Sequence, residues 1–128
     1  MNLAEYFDKT KGVGSLSTAG ADGRVNAAIY GRPHVMDDET LAFIAGDRLT
    51  HANLQANPFA AYLFKEEGSY QGKRLYLTKT REEKDSPLID QISRKKYDKG
   101  MEGQQKSSPK FLIYFKVDKI LPLIGDGQ

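Results

Sequence analysis

The stretch Gly46-Asp47-Arg48-Leu49-Thr50-His51-Ala52-Asn53-Leu54-Gln55-Ala56-Asn57-Pro58 constrains the chain most, because it reads as a strand feeding a helix. Before it, Leu41-Ala42-Phe43-Ile44-Ala45 is continuously apolar, the pattern of a buried strand, and Gly46 closes it. Thr50 stands where an N-cap belongs, and Leu49 is spaced to pack on Leu54 as a hydrophobic staple. Asn57-Pro58 ends the helix, since the residue before a proline is driven out of the helical region. The first N–H groups of such a helix have no acceptor inside it. With the Arg48 guanidinium and the Thr50 hydroxyl they form a candidate anion site. The helix dipole would contribute on the order of 0.3–1 kcal/mol to a phosphate held there, and a charged hydrogen bond from Arg48 roughly 1.5–3 kcal/mol. The plainer reading of the same residues is a capped helix beside a solvated arginine.

The rest of the chain is mostly strand-like. Leu3, Tyr6 and Phe7 are at helical spacing within Asn2 to Thr10, which predicts a short amphipathic helix ending before Gly12. Ser15 to Thr18 leads into Ala21-Asp22-Gly23, a hairpin signal. Arg24 to Val35 reads as one long second strand, in which Val25, Ala27 and Ile29 alternate with Asn26, Ala28 and Tyr30, with Pro33 at an edge or bulge. Asp37-Asp38-Glu39 is a turn rather than a pair of carboxylates for acid–base work. Phe59 to Lys65 is a strand apolar on both faces, and Gly68 to Gly72 is a loop. Lys73 to Arg81 is a strand with Leu75 and Leu77 on one side. Ser86-Pro87 opens a helix with Leu88, Ile89, Ile92 and Tyr97 on its buried stripe, and Gly100 to Ser108 is a surface loop. Phe111 to Val117 is apolar on both faces, so it needs two partners, the second of which could be another subunit. About six mostly antiparallel strands with three short helices suit a small closed or partly open barrel. No Gly-x-Gly-x-x-Gly follows a strand, which argues against a doubly wound sheet.

Charge and cysteine content narrow the function. With 19 basic and 17 acidic residues the formal charge is +2, too balanced for a nucleic-acid surface. Arg81-Glu82-Glu83-Lys84 and Arg94 to Asp98 read as solvated mixed-charge faces. The 128 residues suit one domain, no apolar run is long enough to span a bilayer, and no export signal opens the chain, so a soluble cytoplasmic protein is expected. Without cysteine there are no disulfides, thiolate nucleophiles or cysteine metal sites. His34 and His51 have no metal-ligand spacing, so no metal is expected.

The order of helix, hairpin, long strand, apolar strand, phosphate-like helix start and apolar strand resembles the pyridoxamine 5'-phosphate oxidase-like FMN-binding split barrels. The resemblance runs from about Leu3 to Leu121 and rests on Val25-Asn26-Ala27-Ala28-Ile29, on Leu41 to Ala45, and on the Arg48 to Pro58 segment with its Asn-Leu-x-x-Asn-Pro ending. It implies a mainly β (α+β) six-stranded antiparallel split barrel with short flanking helices, one FMN-binding domain over residues 1–128. It also implies a homodimer with the flavin at the subunit interface. By the same resemblance Asn26, Ala27, Ala28 and Ile29 border the flavin ring, with Phe43, Ile44 and Ala45 beside them. Arg48, Leu49, Thr50 and His51 hold the phosphate, and Lys73 reaches the polar edge of the flavin. Many relatives carry a lysine where this chain has Leu49-Thr50-His51, so the phosphate is expected to rest on Arg48 with His51. The oxidase's substrate-gripping Arg-x-His segment has no counterpart in Gly125-Asp126-Gly127-Gln128, so oxidation of pyridoxamine phosphate is not expected.

The expected function is therefore an FMN-binding oxidoreductase or electron carrier, with no catalytic acid or base assigned. A binding module for heme or a deazaflavin on the same barrel is the alternative, with His34 or His51 as the axial ligand available to a heme. A protein or RNA adaptor working through Arg94 to Lys99 is a third reading, opposed by the balanced charge.

Overall fold

A computed structural model describes residues 2–96 and 109–125, with side chains described except at 93–96. Tyr97, the loop from Gly100 to Ser108, half of the Arg94 to Lys99 stretch and the end of the tail lie outside the described residues. The elements are α1 (Leu3–Lys9), β1 (Gly12–Ala19), β2 (Val25–Ile29), β3 (His34–Asp37), β4 (Thr40–Gly46), α2 (Leu49–Ala56), β5 (Phe59–Glu66), β6 (Gly72–Lys84), α3 (Pro87–Lys96) and β7 (Lys110–Pro122).

The strands form one antiparallel sheet of seven, in the order β2-β1-β5-β6-β7-β4-β3, whose edges are not hydrogen-bonded to each other. The count of six is thus one short, because the long strand expected from Arg24 to Val35 is two strands. Gly31-Arg32-Pro33 interrupts it: the last ladder bond runs from the Tyr30 N–H to the Gly14 carbonyl at 3.0 Å, and Pro33 has no N–H to offer. The break matters for shape. β2 and β3 lie at opposite edges of the sheet, yet only residues 30–33 join them, a link that spans no more than about 18 Å. The sheet must curl to bring its edges so close. Side chains confirm the curl, for Phe43 on β4 and Tyr62 on β5 have ring centroids 4.9 Å apart although two strands stand between them. In a flat sheet three strand spacings would separate them by roughly 14 Å.

Local chemistry accounts for most boundaries. Asn2 caps α1, its side chain accepting from the Glu5 N–H at 3.0 Å. Gly23 takes a φ of +83°, which closes the β1–β2 turn without the steric cost a Cβ would bring. Ser86 caps α3, its hydroxyl accepting from the Leu88 N–H at 3.2 Å.

The concave face holds the main core, with Leu16, Phe43, Tyr62, Phe64, Leu75, Leu77, Ile113 and Phe115 all buried and α1 packed in through Leu3 and Phe7. A second cluster lies on the other side of β4 and β7, where Ile89 and Ile92 of α3 cover Ala42, Leu112 and Tyr114. The last strand is dry on both faces, as its sequence requires, but its second cover is this chain's own α3 rather than another subunit. β5 departs differently. It buries Ala60, Tyr62 and Phe64 and leaves Phe59 and Leu63 exposed, so within one chain it is apolar outside and uncovered there.

Candidate functional site

The helix start is more open than its sequence suggested. Arg48, not Thr50, is the cap residue: it has the extended backbone (φ −132°, ψ −169°), and its carbonyl accepts the Ala52 N–H at 3.0 Å. The helix therefore begins early enough to take Thr50 into its first turn, and Leu49, 56% exposed, makes no staple. No side chain caps α2. The N–H groups of Leu49, Thr50 and His51 consequently have no acceptor within the helix, and they carry the positive end of its dipole.

Thr50 is buried and its hydroxyl lies beside the phenol of Tyr30, the residue that follows β2. Burial raises the Tyr30 phenol above its ordinary value, while the Thr50 hydroxyl and the Arg48 charge pull it back. Tyr30 packs edge-on against Phe43 at 5.8 Å, so the floor beside the helix start is the rim of the core. The exposed Arg48 side chain lies along Gly46, where an added Cβ would stand 3.9 Å from its Nε. A guanidinium, an inward hydroxyl and three open N–H groups thus share one end of α2.

His51 is placed otherwise. Its ring is buried, stacked on Phe111 at 3.6 Å and 13°, with Nε2 at 2.9 Å from Glu82 Oε2 and Nδ1 at 3.5 Å from Asp47. The side chain serves to seat the helix, and only its backbone N–H belongs with the open donors. The same contacts use the imidazole that a heme would need from His51.

Arg81 to Lys84 is not simply a solvated face, because Glu82 reaches α2. Burial works against its charge, but hydrogen bonds from Lys79, His51 and Gln55 outweigh it and hold the carboxyl at about 2, against an ordinary 4.5. A folded-state value below the unfolded one stabilises the fold above pH 4.5, and that contribution disappears as pH falls towards 2. After allowance for screening at a partly exposed site it is worth about 2 kcal/mol.

The expected ring contacts do not form one surface. On β2, Asn26 and Ala28 pair with Thr18 and Leu16 and share their inner side, while Ala27 and Ile29 face outward beside Ser17 and Ser15. On β4, Phe43 and Ala45 are in the core at 3% and 2% exposure, and Ile44 points the opposite way towards α3. Lys73 sits over the Tyr6 ring at 4.5 Å, nine residues along β6 from Glu82, or roughly 30 Å at strand rise. Within one chain it does not join the Arg48 end. Tyr30 and Glu82 were not singled out from sequence. Glu82 sits in an ordinary charge run and meets a residue 31 positions away, so no local pattern marks it. Among the described residues no three His, Asp or Glu side chains gather as a metal site, and no helix is long and apolar enough to cross a membrane.

No protein-family model matches the sequence, and no curated protein matches it. Solved structures do. An FMN-binding protein from Syntrophomonas wolfei superposes with a TM-score of 0.75 at 22% identity, over 97% of this chain and 85% of that one. A protein from Clostridium acetobutylicum related to general stress protein 26, of the pyridoxinephosphate oxidase family, matches at 0.61 and 14% identity over 92% and 83%. An FAD-binding protein from Mesorhizobium loti matches at 0.60 and 17% over 91% and 88%. At these identities the likeness shows the fold.

Proposed function

From the pyridoxamine 5'-phosphate oxidase-like split-barrel fold, which this chain has, we propose that it binds FMN and works as a small oxidoreductase or electron carrier. The observation that carries this reading is the open start of α2, where three N–H groups, Thr50 and the uncommitted cap residue Arg48 converge beside Tyr30. The donor set fits a phosphate monoester, which is dianionic near neutral pH and needs several donors and a positive charge. When bound, the flavin supplies the redox chemistry, and the chain's own residues bind and orient it. Arg48 supplies the charge, while Leu49, Thr50 and His51 supply the amides. Of the expected ring-bordering residues, Asn26 and Ala28 stand on the side of β2 that faces α2 and are placed to meet a ring anchored there.

A homodimer belongs to the same reading. The outer face of β2, β1, β5 and β6 exposes Val25, Ile29, Phe59, Leu63 and Tyr76, with Ser15, Ser17, Ala27 and Ala61 between them, an apolar surface suited to a second copy. If Lys73 reaches a flavin at Arg48, it does so from that second copy. Sedimentation equilibrium at micromolar concentration is expected to give a dimer; a monomer contradicts this part of the reading.

Arg48→Ala tests the phosphate assignment. Loss of a charged hydrogen bond of roughly 1.5–3 kcal/mol should weaken FMN about 10- to 150-fold and leave riboflavin, which has no phosphate, nearly unchanged. An FMN affinity equal to that of the unsubstituted protein overturns the assignment.

A further inference from the structure

The Glu82 carboxylate holds α2 at two successive turns. Its Oε1 accepts from Lys79 Nζ and from Gln55 Nε2, each at 2.8 Å, and its Oε2 meets His51 Nε2 at 2.9 Å. Gln55 Nε2 also donates to the His51 carbonyl at 3.2 Å, and the His51 ring is pressed on Phe111 of β7. A helix of eight residues with no side-chain cap is too short to persist alone, so tertiary contacts set its direction. The contacts that do so from β6 fall on Gln55 and on His51, whose backbone N–H is one of the three open donors.

We propose that Glu82 is a positioning residue for the bound anion: through His51 and Gln55 it fixes where the N–H groups of Leu49, Thr50 and His51 point. The inference rests on the phosphate reading given above. Its test compares the affinities of Glu82→Gln for FMN and for riboflavin, which differ by the phosphate alone. The substitution keeps the side chain's size but removes the charge and one of the two accepting oxygens. FMN affinity should fall about 3- to 10-fold, in line with several misaligned hydrogen bonds, with riboflavin affinity unchanged. A merely structural role would weaken both ligands alike or neither. If Glu82→Gln does not fold, Gln55→Ala, altered at an exposed side chain, decides the matter by a smaller loss in the same direction. An FMN-to-riboflavin ratio unchanged in the folded variant overturns the inference while the phosphate reading stands. An unsubstituted protein that binds FMN no better than riboflavin overturns that reading, and this inference with it.

Discussion

Phe43→Ala is expected to lower the free energy of unfolding by about 3–5 kcal/mol, the range for emptying a buried phenylalanine site. Phe43 is 3% exposed, and its ring meets Tyr30 at 5.8 Å, Tyr62 at 4.9 Å and Phe115 at 5.9 Å. Those three rings come from three separate parts of the chain, so no single backbone shift refills the space. Urea unfolding followed by circular dichroism measures the loss. The variant also separates two roles for this residue. From sequence Phe43 borders the flavin, whereas its position is interior. A folded variant, kept below its denaturation midpoint, should therefore bind FMN within a few-fold of the unsubstituted protein. A large loss of FMN affinity with stability unchanged would return Phe43 to the cofactor.

Gly14→Ala should cost about 2–4 kcal/mol, measured the same way. A Cβ at Gly14 would stand 2.0 Å from the Tyr62 hydroxyl oxygen and 2.4 Å from Cζ, so the ring must leave its place. That hydroxyl donates to the carbonyls of Gly31 at 2.9 Å and Tyr30 at 3.2 Å, the backbone that joins the two edges of the sheet. Overpacking alone costs about 1–3 kcal/mol, and the displaced hydroxyl gives up its part-buried bonds to the Tyr30 and Gly31 carbonyls. Tyr62→Phe in the same background should recover only a small part of the loss, since the closest atom is then gone while Cζ and Cε1, at 2.4 and 2.7 Å, still crowd the Cβ. Equal stability of Gly14→Ala and the unsubstituted protein would mean that the Tyr62 ring yields freely.

Elements whose limits are written in local chemistry were legible from sequence. Asp22-Gly23 marks the first hairpin, Asn57-Pro58 ends α2, and Ser86-Pro87 opens α3. What depends on distant contacts was not. Alternation runs unbroken through Val25 to Tyr30, and nothing local says that the chain then crosses to the opposite edge of the sheet. A strand apolar on both faces shows that it is covered twice without saying by what, and α3 supplies the second cover of β7. Thr50 reads from sequence as the cap of its own helix but lies buried in the first turn beside Tyr30, twenty residues away. Arg48 is assigned from sequence and stands at the helix start. His51 is buried by Phe111 and Glu82, neither of which is near it in sequence.

The central claim is that the start of α2 holds the phosphate of FMN, and titration of cofactor-free protein with FMN, followed by flavin fluorescence, tests it most directly. Parallel titrations with riboflavin, FAD and heme give the comparison. FMN should bind at least tenfold more tightly than riboflavin and more tightly than FAD, whose phosphate is no longer a terminal dianion, and Arg48→Ala should erase most of the difference from riboflavin. FMN binding no tighter than riboflavin, or heme bound in preference to every flavin, would contradict the account.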